Sequence, residues 1–333
     1  MNAGTTTRAN RKHLLVPHAM DKAGLDVLAA REDVRLTRYS PSIAPVDLRA
    51  LLADAAGIAL SFTRFGHAEA AAAPLLQVVA RIGVGFDAVD VPALTAHGIP
   101  LLVAGAANST SVAEQALFFM LALAKRGAEM DRRVRHGIGH DRLGGLPMEV
   151  SGKTVLIVGF GRIGSRTAPR CRAFGMTVLV YDPYRPAAAI RDAGCEMVAD
   201  LDAALGRADF VSIHCPKNAE TRGMFGAERL ARMKAGAFLV NTARGGIVDE
   251  TELHAALVSG HLAGAGLDVF EPEPPDIANP LLHLETVIRA PHMAGVTAEA
   301  FAAMAVATAH NLLSVLDGKP ARENVVNPEV LPP

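Results

Sequence analysis

The chain has 333 residues, with 33 Lys and Arg against 34 Asp and Glu, three Cys, no Trp and half of its residues apolar. At roughly 100–200 residues per domain this length suits two domains or one large one, and a net charge of −1 lacks the cationic surplus that nucleic acid or an anionic membrane surface would demand. The cysteines at 171, 195 and 215 are too scattered for a disulfide framework or a CxxC metal site, so no metal is expected and a reducing cytoplasm is the expected location.

Residues 1–12 are polar and carry Arg8, Arg11 and Lys12 without an apolar stretch. They read as a frayed tail, or alternatively a transit peptide, and not as a secretory signal. Short apolar runs at 13–17, 34–37, 57–60, 78–82 and 101–103 read as strands, with helices between them such as 45–56, where Pro45 suits a first helical position. A single helix is expected over 112–135, opened by a capping box of Ser111 and Glu114. Its segment 116–124 is apolar all round and should be buried on every side, in a core or partly against a second copy of the chain, which makes a homodimer the expected assembly. That segment is also the longest uninterrupted apolar run, well short of the ~20 residues a spanning helix needs, so no membrane partner is expected.

A Gly-containing loop is expected at 138–147, followed by a second set of strands at 153–158, 177–181, 210–214, 238–241, 264–267 and 287–289. These are apolar along their lengths, as strands buried on both faces are. A last helix over 298–316 stops at Asp317-Gly318-Lys319-Pro320. The alternation predicts an α/β protein with two parallel sheets.

The strongest local motif is Gly159-Phe-Gly161-Arg-Ile-Gly164, directly after the expected strand 153–158 and opening a helix. In that context Gly159 permits a tight turn, Gly161 lets a pyrophosphate approach the backbone, and Gly164 lets helix and sheet pack closely. Asp182 ends the next strand, where a carboxylate accepts hydrogen bonds from the adenosine ribose and repels a 2′-phosphate, favouring NAD over NADP. Arg185 stands three residues on and keeps NADP possible. Pro169, inside the helix, should kink it.

Three later segments each follow an expected strand: 241–250 with Arg244 and Asp249, 266–274 with Asp268 and Glu273, and 290–295 with His292. Ligands of parallel sheets bind beyond the carboxyl ends of the strands, so Arg244, Glu273 and His292 are candidates to converge there. Reduction of a 2-keto acid needs a cation for the carboxylate, a proton donor for the carbonyl oxygen and a partner that keeps the donor protonated.

These segments, with Arg81-Ile-Gly83-Val-Gly85-Phe-Asp87, Ala107-Asn108 and the Gly159–Gly164 loop, resemble the D-isomer-specific 2-hydroxyacid dehydrogenases over nearly the whole chain. The resemblance implies two Rossmann-like domains with the active site in the cleft. A flavodoxin-like catalytic domain would comprise 1–106 and 298–333, and an NAD-binding Rossmann domain 107–297. It implies that Arg244 clamps the substrate carboxylate and keto oxygen, that His292 exchanges the proton, and that Glu273 orients His292 and raises its pKa. Val84, Gly85 and Asn108 would help to hold the substrate. Arg162 and Ile163 would offer amides to the pyrophosphate, and Asp268 would bind the nicotinamide carboxamide. Cys215, Pro216 and Thr221 would line the adenosine side, while Ala243, His292 and Gly295 would complete the cofactor site.

Many relatives carry a substrate-recognition Arg directly after the third strand, where this chain has Ser61-Phe62-Thr63-Arg64. Phe62 suggests an apolar wall; Arg64 either recognises a second anion or points to solvent. His214 is expected to fill space. Formate dehydrogenases carry Gln where Glu273 stands and phosphite dehydrogenases Lys where Val84 stands, which argues against both activities. Two alternatives remain at this level: an NAD-sensing, non-enzymatic scaffold like the corepressors that share the fold, and an NADPH-preferring glyoxylate or hydroxypyruvate reductase.

Overall fold

The computed structural model describes residues 11–138 and 146–332. The expected tail thus lies largely, and the expected loop at 138–147 mostly, outside the described residues. The chain divides into two compact units, one of 1–108 with 296–333 and one of 109–295, so the boundaries fall two residues inside the expected cofactor domain.

The first unit opens with β1 (Lys12–Pro17), α1 (Lys22–Ala29), β2 (Val34–Tyr39), α2 (Pro45–Leu52), β3 (Gly57–Leu60), α3 (His67–Ala71), β4 (Val78–Arg81), α4 (Val91–Ala96) and β5 (Leu101–Val103). All strands are parallel, in the order β2-β1-β3-β4-β5, the flavodoxin-like arrangement. Every residue of β3 and β5 is buried, which is why their sequences carry no polar alternation.

The second unit begins with α5 (Ser109–Ala124) and α6 (Gly127–Arg135). The single helix expected at 112–135 is therefore two helices, broken at Arg126, whose φ of 51° is left-handed. Ser111 lies inside α5 and is not its cap, and the Glu114 carboxylate pairs with Arg170 at 3.2 Å. Burial of α5 is one-sided as well: Ala116, Phe119, Met120 and Leu123 are buried, whereas Phe118 is 54% exposed. The unit continues through β6 (Thr154–Val158), α7 (Gly164–Ala173), β7 (Thr177–Tyr181), α8 (Ala187–Asp192), β8 (Glu196–Met197), α9 (Leu201–Leu205), β9 (Phe210–Ile213), α10 (Ala227–Arg232), β10 (Ala237–Asn241), α11 (Glu250–Val258), β11 (Leu262–Leu267) and β12 (Val287–Arg289). Its parallel sheet has the order β12-β11-β10-β9-β6-β7-β8, the doubly wound Rossmann arrangement extended by a strand. Helix α7 runs on through Pro169.

The chain then returns to the first unit as α12 (Ala298–Leu316), capped by the Thr297 hydroxyl. Among the described residues α12 is the one helix long and apolar enough to cross a membrane, but half of its most apolar window is buried. Met304, Ala305, Ala309 and Leu312 pack into the core formed with β1, β3 and β4. Its buried polar residues are bonded to the sheet: Thr308 Oγ1 donates to Arg81 O at 3.2 Å and Asn311 Nδ2 to Val103 O at 2.8 Å.

Candidate active site

The Gly159–Gly164 loop joins the carboxyl end of β6 to α7. Gly159 has a φ of +98°, and a Cβ there would meet Cys215 N at 2.7 Å. At Gly164 a Cβ would stand 2.0 Å from Gly159 O, whereas at Gly161 it would meet nothing within 4 Å. Two of these glycines are therefore required by the protein's own packing, while Gly161 keeps open space above the loop. No side chain caps α7 at Ile163, which suits an N-terminus that receives a phosphate.

Asp182, at the end of β7, accepts the Phe160 N–H at 2.7 Å through Oδ2 and the Tyr184 N–H at 2.9 Å through Oδ1. It thereby fixes the glycine loop, a task its position in the sequence does not reveal. Arg185 is exposed. The Tyr184 hydroxyl donates to Glu220, tying this turn to the loop after β9. In that loop the Thr221 hydroxyl donates to Pro216 O at 2.6 Å, so it orders the loop from within. Burial pushes the Cys215 thiol up to about 11 and the His214 imidazole down to about 3, so neither carries charge near neutral pH. His214 bonds Ser212 Oγ at 2.9 Å, and its buried Nδ1 has no partner among the described residues.

Arg244, Glu273 and His292 stand on the loops that follow β10, β11 and β12, which are neighbours in the sheet. His292 Nδ1 lies 2.7 Å from Glu273 Oε2, with 47% and 34% of the two side chains exposed. Glu273 Oε1 also accepts the Phe270 N–H at 3.0 Å. Burial opposes ionisation of Glu273, but the bonds from His292 and Phe270, with the charges of His292 and Arg244, hold its carboxyl below the usual range.

His292 has a left-handed backbone, φ 55°, an unusual state for a residue with a Cβ. Its turn is held from below. Asp268, 1% exposed, accepts the Met293 N–H at 2.8 Å and the Ala294 N–H at 2.9 Å, and its carbonyl accepts the His292 N–H at 2.7 Å. Burial raises the Asp268 carboxyl despite those two amide bonds.

Half-buried Arg244 donates from Nη1 to Ala243 O at 2.7 Å. Ala243 is buried and Gly295 half-buried. Asn241, to which the sequence reading gave no role, bonds to both Ala243 and Arg244. Asp249, on the same loop as Arg244, is the N-cap of α11, accepting from Thr251 and Glu252.

The other candidates lie in the first unit. Val84 and Gly85 are half-buried on the loop after β4, next to Gly83 with its φ of 131°. Asn108 carries a buried Oδ1 without a partner among the described residues. Phe62 is 83% exposed after β3, with the Arg81 guanidinium 5.6 Å from its ring centroid. Arg64 is exposed and lines a cleft of ≈ 600 Å³ together with Glu69, Asp87 and Asp90. Among the described residues no group of His, Cys, Asp and Glu could hold a metal ion.

Residues 117–294 match the model of the D-isomer specific 2-hydroxyacid dehydrogenase NAD-binding domain. The chain belongs to the D-isomer specific 2-hydroxyacid dehydrogenases. It is 42% identical to the glyoxylate reductase of Korarchaeum cryptofilum, over 78% of this chain and 79% of that protein. To the D-3-phosphoglycerate dehydrogenase of Archaeoglobus fulgidus it is 39% identical, over 78% of this chain and 49% of the relative. The chain thus spans about half the length of the curated phosphoglycerate dehydrogenases it matches. A solved glyoxylate reductase from Paecilomyes thermophila superimposes with a TM-score of 0.84 at 28% identity, covering 96% of this chain and 99% of that one. The family's domain description names the cofactor as NAD, and the open face above Gly161 and the ends of β6 and β7 fit a dinucleotide.

Proposed function

We propose that this dehydrogenase interconverts a 2-keto acid and the corresponding D-2-hydroxy acid, with NAD as the preferred cofactor and NADP as a possible one. The observation that carries the proposal is the His292–Glu273 pair at 2.7 Å, on loops beside that of Arg244 at the carboxyl edge of the NAD-binding sheet. The bound dinucleotide supplies the hydride. His292 delivers a proton to the keto oxygen in reduction and takes it back in oxidation, and Glu273 holds the imidazole by Nδ1, leaving Nε2 for the substrate. Arg244 receives the substrate carboxylate, a match for its planar donor fork. In the first unit, the Val84 and Gly85 backbone and Asn108 are proposed to take part in substrate binding. Arg162, Ile163, Cys215, Pro216, Thr221, Ala243, Asp268 and Gly295 are proposed to line the cofactor.

The remainder of the substrate is proposed to be apolar. Exposed Phe62 supplies an aromatic surface at the end of β3, and Arg64 shares its cleft with three acidic residues. The test is a panel of 2-keto acids assayed with NADH and NADPH. Turnover is expected with glyoxylate and with larger apolar keto acids, at higher kcat/KM than with phosphohydroxypyruvate. Failure of the whole panel with both cofactors overturns the proposal.

A homodimer is proposed through α5 and α6. Phe118 on α5 and Val134 on α6 are exposed, and other residues of the two helices line, with exposed Leu146, a cleft of ≈ 790 Å³ at the opposite strand ends from the site. Phe118→Asp is expected to yield monomer in light scattering; an unchanged mass would count against this face. The three cysteines are free thiols, which suits the proposed cytoplasmic location.

A further inference from the structure

We infer that Asn241 is a positioning residue that sets where Arg244 stands, an inference that rests on the role proposed for Arg244. Asn241 ends β10, is 2% exposed, and is itself anchored, because its backbone carbonyl accepts the Asp268 N–H at 3.0 Å from the neighbouring strand end. From this fixed point its side-chain amide acts in two directions. Oδ1 accepts the Ala243 N–H at 3.0 Å, and Nδ2 donates to Arg244 O at 2.9 Å.

The two bonded groups lie on the peptides before Ala243 and after Arg244. They bracket the peptide between those residues, whose carbonyl receives Arg244 Nη1 at 2.7 Å. The guanidinium thus rests on a carbonyl whose direction is set by the Asn241 bracket. A carboxamide serves because the position needs one acceptor and one donor on a single short side chain; Asp offers acceptors alone, and Leu offers neither. In a buried position the group left unpaired by either change is not rescued by water.

Asn241→Asp retains the acceptor for Ala243 and turns a carboxylate oxygen toward the Arg244 carbonyl. Oxamate, an unreactive anion of keto-acid shape, reads the Arg244 site without turnover. Expected in Asn241→Asp are a rise of about tenfold in glyoxylate KM and a matching loss of oxamate affinity for the NADH complex. NADH dissociation should stay within about twofold of wild type, and in an Arg244→Ala background Asn241→Asp should add less than about twofold. Unchanged oxamate affinity, NADH affinity falling in the same proportion, or effects of the two substitutions that multiply would each overturn the inference. If Asn241→Asp does not fold, Asn241→Ser enters the same cycle with the same criteria. A wild type that neither binds oxamate nor reduces glyoxylate removes the keto-acid proposal and this inference together. One that does both, with an additive cycle, removes this inference alone.

Discussion

Phe270 closes over Gly245: its carbonyl oxygen lies 1.9 Å from where a β-carbon at Gly245 would stand. The loop that carries Arg244 is pressed in this way against the loop that carries Glu273. The glycine after the arginine is therefore demanded by contact between two functional loops. Gly245→Ala should push the loops apart, costing about 1–3 kcal/mol as overpacking and lowering kcat/KM for keto acids as Arg244 shifts. Thermal melting and steady-state kinetics check this together. A variant with wild-type melting and wild-type kinetics would show that the loops give way without consequence.

The Glu273 carboxyl sits below its ordinary value of 4.5, so the charge beside His292 persists throughout the neutral range. Glu273→Gln keeps the shape but removes the charge that favours an imidazolium. The kcat/KM for reduction should fall by about 10- to 100-fold at pH 8. A group with a depressed carboxyl stabilises the fold above its unfolded-state value, and that stability is lost as pH falls through the folded-state value. Wild type should therefore melt higher than Glu273→Gln at pH 7, and the difference should close below 4.5.

Two glycines of the cofactor loop should respond differently to the same methyl group. At Gly164 it collides with Gly159 O at 2.0 Å, and at Gly161 it enters open space. Gly164→Ala is expected to lower the melting temperature by several degrees, in line with a cost of about 1–3 kcal/mol. Gly161→Ala should melt like wild type yet bind NADH about tenfold more weakly, because its methyl occupies ground meant for the pyrophosphate. Fluorescence titration with NADH measures this. Equal NADH affinity in Gly161→Ala would mean that the open face is not the phosphate site.

His214 stays neutral in the folded protein because burial holds its imidazole down to about 3. The unfolded chain takes up a proton there as pH drops below the ordinary value of 6.5, so folding is penalised progressively on acidification from that point. His214→Gln, which can still bond Ser212, should show a shallower fall in melting temperature between pH 6.5 and pH 4 than wild type. Parallel curves would exclude His214 as a source of acid sensitivity.

Much of the architecture is legible in the sequence because strands buried on both faces are unbroken apolar runs. The bounds of β3, β5, β7 and β12 coincide with the expected ones. Strand β8, with only two residues, is too short to show a period. The break at Arg126 leaves no trace either, since a left-handed residue with a Cβ has no composition of its own. Ser111 and Glu114 match a capping pattern by spacing, yet the helix begins earlier, at Ser109.

Arg244, Glu273 and His292 stand out in sequence as charged or titratable residues just past apolar strands. Residues that hold them do not. Asn241 looks like an ordinary strand end, and nothing in the spacing shows that Asp182 and Thr221, read as cofactor contacts, also bond backbone groups of the loops they order. The Phe160 amide that Asp182 accepts belongs to another loop, while Asn241 and Thr221 bond groups within a few residues whose direction is set by the loop conformation, and spacing along the chain records neither.

The most direct test of the account is the rate of glyoxylate reduction by NADH in wild type and in His292→Asn, with NADH affinity measured alongside. Turnover is expected from wild type, with a loss of about 10³-fold in kcat for the variant and NADH binding within about twofold of wild type. A variant that reduces glyoxylate at the wild-type rate would contradict the role proposed for His292.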